Sequence, residues 1–324
     1  MSNAIACKGV RARWLSGALG SLIIGSAVLA GCSSTAEPET GTDEEGTQAT
    51  RAALDVPLPL PLPSPRRFAK ALDLECYHSE GQPPVSDLYI RQLNPVIKGA
   101  LPNQQIKVGE MLGTCLPVSK NNATPPDDVL PFVKWTDLAC YRADAAPVDV
   151  PVNLKHINPV LENLPDENVR LKQLKAFCSP VRKNFSDVPP AIRRLVAHLD
   201  FACYEFETLT EPANRVLSLA HLNPVVREFG FPNRVVEMKR ANQLCVPVAK
   251  NQQPVPDDVE RVVRWVDFIA YHTQPVANPA TPFPLWLSQL NPLFAGAPPS
   301  LTTLHEPTRL MVPVAKNNQL PPLE

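Results

Sequence analysis

Six cysteines of this chain are spaced so that they could form three disulfide bonds. In each of three stretches two cysteines lie about 40 residues apart, and in a fourth stretch Ala270 and Met311 stand at the corresponding positions. The loss of both cysteines together is expected if the two are bonded to each other. We therefore predict the pairs Cys76 with Cys115, Cys140 with Cys178, and Cys203 with Cys245. A rival scheme joins Cys115 to Cys140 and Cys178 to Cys203, and leaves Cys76 and Cys245 apart.

A lysine followed by an asparagine is the second recurring group. It closes the motif x-Pro-Val-x-Lys-Asn in all four stretches, at Lys120 and Asn121, Lys183 and Asn184, Lys250 and Asn251, and Lys316 and Asn317. One interpretation is a fourfold surface that binds an anionic group. The other, which we favour, is a turn in which the asparagine adopts a left-handed backbone and the lysine is solvated at its edge.

Tyrosines and histidines offer less specific chemistry. A tyrosine follows each first cysteine position, and we predict a packing anchor with a bonded hydroxyl rather than a ligand platform: Tyr77, Tyr141, Tyr204 and Tyr271. The six histidines do not recur in every stretch and show no metal-ligand spacing. Neither a zinc-protease nor a serine-hydrolase motif occurs. We therefore expect no catalytic residue, no metal ligand and no cofactor.

The recurring cysteines, lysines, asparagines and tyrosines belong to four copies of one unit of about 64 residues. Such self-similarity at a fixed period is a strong guide to architecture. The middle of each copy carries an Asn-Pro landmark, which begins at Asn94, Asn158, Asn223 and Asn291. We place the copies at residues 71–134, 135–198, 199–264 and 265–324. Units of this size bury little core, so a disulfide in each of the first three would stabilise them. The fourth is expected to compensate through Phe283, Trp286 and Phe294 and by docking on the third.

Local patterns predict mainly β structure. Leu72, Leu74 and Cys76 alternate with Asp73 and Glu75, which is the period-two signal of a half-buried strand. A second strand leads into each Asn-Pro turn, and a third runs into the second cysteine, so that each disulfide ties the first strand to the last. At the proline-rich junctions between copies we expect a helical turn at most. The predicted fold is four tandem small β-rich repeats, of which the first three are each stapled by one disulfide.

The N-terminus carries the features of an export signal. An apolar run at residues 14–29 is preceded by three basic residues, Lys8, Arg11 and Arg13. The run ends in Leu29-Ala30-Gly31-Cys32, which resembles the lipobox of bacterial lipoproteins. The resemblance implies that residues 1–31 are a cleaved signal peptide, that Cys32 is lipidated and inserts in a membrane, and that the membrane is the outer one in a Gram-negative cell. The alternative is a plain transmembrane anchor with an incidental cysteine.

Residues 32–70 are predicted to be a disordered tether between the lipid and the copies. Its first part is acidic and poor in apolar residues, and proline alternates with other residues from Val56 to Ser64, which favours an extended polyproline helix. The alternative is that this proline-leucine run is itself a docking ligand. The chain has 31 basic and 32 acidic side chains, so nucleic acid is not an expected partner.

The order of Cys-Tyr, a middle turn and Cys-x-Pro-Val-x-Lys-Asn resembles a family of secreted bacterial repeat domains of uncharacterised function, over about 250 residues. Members of that family often carry Asp-Gln-Phe where this chain has Leu-Asn-Pro, and the resemblance implies no catalytic residues. We expect a lipid-anchored cell-envelope protein with a structural or binding role toward an envelope polymer or protein. The alternative is an envelope hydrolase with a site between copies. The sequence leaves open the ligand, the face of the membrane, the oligomeric state, and whether the copies pack together.

Overall fold

A computed structural model describes residues 60–208, 210–277 and 281–323. The predicted signal peptide, Cys32 and the tether up to residue 59 lie outside the described residues. The described part is mainly β, as predicted, and contains three disulfides. It belongs to one compact unit, in which we call residues 71–134, 135–198, 199–264 and 265–324 segments 1 to 4. No helix in this part of the chain is long and apolar enough to span a membrane.

The described residues form short helices and strands of very unequal length. The helices are α1 (Pro65–Ala71), α2 (Leu130–Val133), α3 (Pro190–Val196), α4 (Pro224–Glu228) and α5 (Asp257–Val263), with a 3₁₀ turn at Pro292–Phe294. The strands are β1 (Asp73–His78), β2 (Asp87–Gln92), β3 (Gln104–Lys120), β4 (Asp137–Asp144), β5 (Val150–His156), β6 (Glu167–Lys183), β7 (Phe201–Thr208), β8 (Arg215–His221), β9 (Arg234–Lys250), β10 (Phe268–Ala277), β11 (Phe283–Gln289), β12 (Ser300–Leu304) and β13 (Pro307–Lys316).

Eight of these strands form a closed antiparallel ring. The first strand of each segment (β1, β4, β7, β10) pairs with the long strand of the same segment (β3, β6, β9, β13). Its other side pairs with the long strand of the preceding segment, so that β4 pairs with β3, β7 with β6 and β10 with β9. The ring closes because β1 pairs with β13. Closure removes the open edges that a linear sheet of these strands would have.

The second strands join segments that are not neighbours in the sequence. Each pairs with the beginning of its own long strand, which in segment 4 is the separate strand β12. Each also pairs with the end of the long strand two segments away, as β2 does with β9, β5 with β13, β8 with β3 and β11 with β6. The four segments are therefore interleaved and do not stand as separate beads.

The first strand of each segment is buried on both faces over at least its first four residues, so the prediction of half-buried strands was wrong. Leu74 packs in a hydrophobic cluster with the helices, whereas Tyr77, on the opposite face of β1, packs in a second cluster with the second strands. Asp73 and Glu75, which the alternation assigned to solvent, are 4% and 0% exposed. Their burial is tolerated because Asp73 pairs with Lys120 and Glu75 accepts a hydrogen bond from Tyr77.

The junctions contain more helix than the single turn predicted from the sequence. Helices α1, α3 and α5 have seven residues each, or about two turns, and α2 has four. The prediction that residues 65–70 belong to the disordered tether was wrong. These residues form most of helix α1, and Phe68 is fully buried. Ser64 caps this helix and Pro65 opens it, which suits the first helical turn. The helices contact one another in the order α1, α2, α3, α5 and pack on the ring.

Segment 4 replaces the cysteine pair with Ala270 and Met311, which are partners in the register of β10 and β13. Of the aromatic residues expected to compensate, Phe294 is buried and Phe283 is partly buried, whereas Trp286 is 40% exposed. The docking on segment 3 is present as the pairing of β10 with β9. Segment 4 is thus held without a disulfide by the same kinds of strand pairing as the other segments and by the packing of Phe294.

Candidate functional site

The four recurring lysines lie in the interior, so their prediction as solvated surface residues was wrong. Each is at most 2% exposed. Each forms an ion pair with a buried aspartate of its own segment: Lys120 with Asp73, Lys183 with Asp137, Lys250 with Asp200, and Lys316 with Asp267. The sequence contained a signal for these ion pairs, because an aspartate lies three residues before the first cysteine position in all four segments.

Strand register brings the two charges together. In β1 and β3, Asp73 lies opposite Val118, and Lys120 is two residues further along the same face. In β4 and β6, Asp137 lies opposite Val181 in the same way, with Lys183 two residues beyond. The pairing that aligns the cysteines for a disulfide therefore also sets each lysine beside its aspartate.

The Asn-Pro asparagine supplies a third member from the following segment. Its side-chain N–H donates to the aspartate over 2.5–2.8 Å in the pairs Asn158 to Asp73, Asn223 to Asp137, Asn291 to Asp200, and Asn94 to Asp267. Its side-chain oxygen accepts from the backbone N–H two residues on, which fixes the turn. The asparagine thus links each segment to the one before it, and Asn94 of segment 1 closes the series on segment 4.

Burial raises the pKa of the aspartates and lowers that of the lysines, while the opposite charge moves each back toward its usual value. The pKa of Asp137 and of Asp267 is raised to about 6, and that of Lys250 is lowered to about 8, with desolvation as the main cause. These groups are therefore mostly charged at pH 7. The Lys250 ammonium also lies 4.8 Å from the ring centre of Phe294, a favourable contact for a buried cation.

The asparagines of the Lys-Asn motif form the left-handed turns that we predicted. Their φ angles are between 45° and 49°. Each side-chain oxygen accepts from a second-strand N–H two segments away, in the pairs Asn121 with Ser218, Asn184 with Trp286, Asn251 with Tyr89, and Asn317 with Asn153. These turns fasten segment 1 to segment 3 and segment 2 to segment 4.

The four tyrosines are buried and their hydroxyls are bonded, as predicted for packing anchors. Each hydroxyl meets the residue just before the Leu-Asn-Pro or Ile-Asn-Pro landmark two segments away: His221 for Tyr77, Gln289 for Tyr141, Gln92 for Tyr204, and His156 for Tyr271. Burial raises the pKa of Tyr204 to about 12. The tyrosines therefore act as internal ties between opposite segments.

The group around Tyr77 is the closest arrangement to an acid–base site. Its hydroxyl donates to Glu75 and accepts from Arg234 Nε over 3.1 Å, and it lies 3.0 Å from His221 Nε2. Burial raises the pKa of Glu75 to about 7 and lowers that of His221 to about 3. The imidazole is therefore neutral at pH 7. All four side chains are at most 3% exposed, so a substrate has no direct access to them in this conformation.

The three disulfides have the pairing that we predicted, with bonds between Cys76 and Cys115, Cys140 and Cys178, and Cys203 and Cys245. Each bond joins register partners of a first and a long strand. The rival pairing joined sulfurs that are neighbours here without being bonded, because Cys115 Sγ lies 3.7 Å from Cys140 Sγ and Cys178 Sγ lies 3.9 Å from Cys203 Sγ.

Among the residues that the structure describes, no three His, Cys, Asp or Glu side chains are arranged to hold a metal ion. The histidines serve other contacts: His156 and His221 bond to tyrosines, and the rings of His78 and His305 lie 5.8 Å apart. No protein-family model matches the chain, and searches of curated proteins and of solved structures find no match either.

Proposed function

We propose that this chain is a lipid-anchored cell-envelope protein built from four copies of one unit, with a structural or binding role and no catalytic centre. The observation that carries the proposal is that the polar residues common to all four segments bond to one another inside the fold. The buried aspartate, lysine and asparagine of each set, exemplified by Asp73, Lys120 and Asn158, use their polar groups on each other. Catalysis needs reactive groups that face a substrate, whereas these groups maintain the ring.

A binding role is supported by the variable residues at one equivalent surface position. The second-strand residue that bonds to each turn asparagine is Tyr89, Asn153, Ser218 or Trp286. Ser218 and Trp286 are exposed, and Tyr89 and Asn153 are partly exposed. Variable residues at the surface of a constant frame are typical of proteins whose function lies in grafted surface sites. Four related surfaces on one molecule suit repeated weak contacts with an extended envelope polymer or a protein partner.

Export and anchoring are supported by two independent features. Disulfides persist outside the reducing cytosol, and this chain has three. The lipobox-like residues that end at Cys32 would attach the N-terminus to a membrane, the outer one in a Gram-negative cell.

Metabolic labelling tests the anchor. Bacterial cells that express the full chain or its Cys32→Ala variant are grown with an alkyne analogue of palmitate and then fractionated. We expect label and membrane pelleting for the native chain and the loss of both for the variant. Label that persists in the variant overturns lipidation at Cys32.

Protease treatment of intact and lysed cells tests the location of the four segments. Cleavage in intact cells would indicate a partner outside the cell, and protection until lysis would indicate a periplasmic partner such as peptidoglycan. The purified protein is then incubated with the envelope polymer from that side. Co-sedimentation supports the binding role, whereas release of soluble polymer fragments overturns it in favour of a hydrolase.

A further inference from the structure

A cleft at the boundary of segments 1 and 2 reaches one of the buried ion pairs. Its volume is about 200 Å³, far above the roughly 10–15 Å³ that one water molecule requires. Val118, Pro126 and Val160 give it apolar walls. Asp73, Lys120 and Asn158, the ion pair and its asparagine, also line it. The cleft therefore combines an apolar body with a small number of convergent polar groups, which is typical of small-molecule sites.

Two alanines account for the space. Ala71 lines the cleft, and the residues at the same distance before the buried aspartate in segments 2 to 4 are Trp135, His198 and Trp265. Ala123 also lines it, and the residues at the same distance after the buried lysine are Ser186, Gln253 and Gln319. Segment 1 thus has the smallest side chain at both positions. Trp135 and Trp265 are partly buried, so the larger side chains occupy interior space in their own segments.

The lysine in this cleft differs from Lys250 of segment 3 in what surrounds its ammonium group. An ammonium group has three N–H donors, and apart from Asp73 the Nζ of Lys120 has no hydrogen-bond partner among the described residues. In segment 3 the Lys250 ammonium lies instead over the rings of Phe294 and Phe177. Lys120 thus lines the cleft, but its Nζ is buried and paired with Asp73, so the accessible positive charge of the cleft comes from the cations nearer its opening.

The charge of the cleft favours an anion. Its lining contains three cations, Arg67, Lys70 and Lys120, and one anion, Asp73. Arg67 pairs with Asp128 at 2.7 Å, and Lys120 pairs with Asp73. Lys70 forms no ion pair with the described residues and leaves one positive charge uncompensated at the cleft.

We propose that this cleft is a binding site for a small anion with an apolar body, such as a carboxylic acid of up to about ten non-hydrogen atoms. The apolar part packs between the proline and valine walls, where Ala71 and Ala123 leave room. The carboxylate lies near Lys70, the cation of the lining that forms no ion pair with the described residues. The proposal rests on the cleft alone and stands whether or not the chain is anchored to a membrane.

Calorimetric titration of the purified protein with benzoate tests the site, with benzyl alcohol as the uncharged probe of similar size. We expect benzoate to bind at least about tenfold more tightly than benzyl alcohol. Ala71→Trp should abolish binding, because it introduces the side chain that segments 2 and 4 carry at this position. Lys70→Met should weaken binding severalfold, and Lys134→Met, which removes the corresponding charge of segment 2, should leave it unchanged.

Circular dichroism checks that each variant is folded. If Ala71→Trp does not fold, Ala123→Gln, which copies segments 3 and 4, replaces it as the variant that fills the cleft. No benzoate binding up to about 10 mM overturns the proposal, as does equal affinity for benzyl alcohol or undiminished binding by the folded cleft-filling variant. Loss of binding in Lys134→Met as well as Lys70→Met shows that net charge is responsible and also overturns it.

Discussion

At each recurring ion pair, a lysine and an aspartate are held in a hydrophobic interior. Removal of two charges from water is costly, and the mutual attraction with added hydrogen bonds offsets that cost only when the geometry is good. The asparagine that bonds each aspartate supplies such a hydrogen bond. The pairs are therefore better understood as fixing how the first and long strands of a segment align, and their asparagines as linking one segment to the next, than as a large net gain in stability.

Lys183→Met tests the dependence of the pair on both partners. The substitution leaves Asp137 buried without its cation, so we expect a loss of about 3–5 kcal/mol in the free energy of unfolding. The double variant with Asp137→Leu should be less destabilised than the single one, because no unpaired charge remains. Lys175→Met removes a half-exposed pair with Glu205 and should cost at most about 1 kcal/mol. Urea unfolding gives the values, and equal losses for Lys183→Met and Lys175→Met would contradict the prediction.

Glu75→Gln tests the group around Tyr77 through its pH dependence. The pKa of Glu75 is about 7 in the folded state, against a usual value of 4.5. Between pH 4.5 and 7 the folded state therefore holds a proton on Glu75 that the unfolded state has lost. Its contribution to stability is therefore present below pH 4.5 and is lost as the pH rises through about 7. Glutamine does not titrate, so the variant should gain up to about 3 kcal/mol relative to the native chain between pH 4.5 and 7.

The measurement is the difference between the unfolding free energies of the two proteins across this pH range. His221 has a lowered pKa, so its titration raises stability with pH in the same range and opposes Glu75. Because His221 is present in both proteins, its effect largely cancels in the difference. Parallel curves for the two proteins would show that the carboxyl of Glu75 is not the titrating group.

At the scale of elements, one strand pair is repeated with and without a covalent bond. The first and long strands of segments 1 to 3 are joined at aligned cysteines, whose Cα atoms are 3.9–4.0 Å apart. In segment 4 Ala270 and Met311 are aligned in the same register. Hydrogen bonds and packing are thus sufficient to form the pair, and the disulfide adds stability to it.

The double substitution Ala270→Cys and Met311→Cys should therefore form a fourth disulfide. Because it closes a loop of about 40 residues, we expect a gain of about 2–4 kcal/mol under oxidising conditions. Peptide mapping identifies the bond, and thermal unfolding with and without reductant measures the gain. Each single variant serves as a control. Since Cys115 Sγ lies 3.8 Å from Met311 Sδ, a bond between the new cysteine at 311 and Cys115 would contradict the predicted pairing.

At the scale of the whole molecule, ring closure makes every segment depend on the others. The first strand of segment 1 needs β13 of segment 4, and the Arg66 backbone N–H donates to the Pro322 carbonyl over 3.1 Å. The two ends of the described chain are therefore fastened together. The interleaved second strands add pairings between segments 1 and 3 and between segments 2 and 4.

A chain that ends at Arg264, and so lacks segment 4, should not fold to a stable monomer. Without segment 4, β1 and β9 lose a ring partner, and exposed strand edges promote association with other chains. We expect near-ultraviolet circular dichroism to show lost tertiary packing, and size-exclusion chromatography to show aggregates. The full chain should unfold in one cooperative transition. A monomeric truncated chain with native-like packing would contradict this dependence.

Much of the secondary structure and the covalent framework could be read from the residues. Paired loss of cysteines in segment 4 predicted the disulfides, alternation predicted the first strands, and asparagine after lysine predicted the left-handed turns. These are local features, or features that recur at equivalent sites, so one chain contains enough information to recognise them. The buried aspartates recur equally often, but charged residues are rarely buried, so recurrence alone did not place them in the core.

The partners of each segment could not be read in the same way. Four stretches with the same landmarks present the same strands, tyrosines and asparagines, so the sequence does not distinguish a neighbour from an opposite segment as the partner. Chain connectivity and simultaneous packing settle this: the Asn-Pro asparagine bonds to the preceding segment, whereas the tyrosine and the turn asparagine bond to the segment opposite. Burial of the lysines follows from those contacts, because only the assembled ring encloses them.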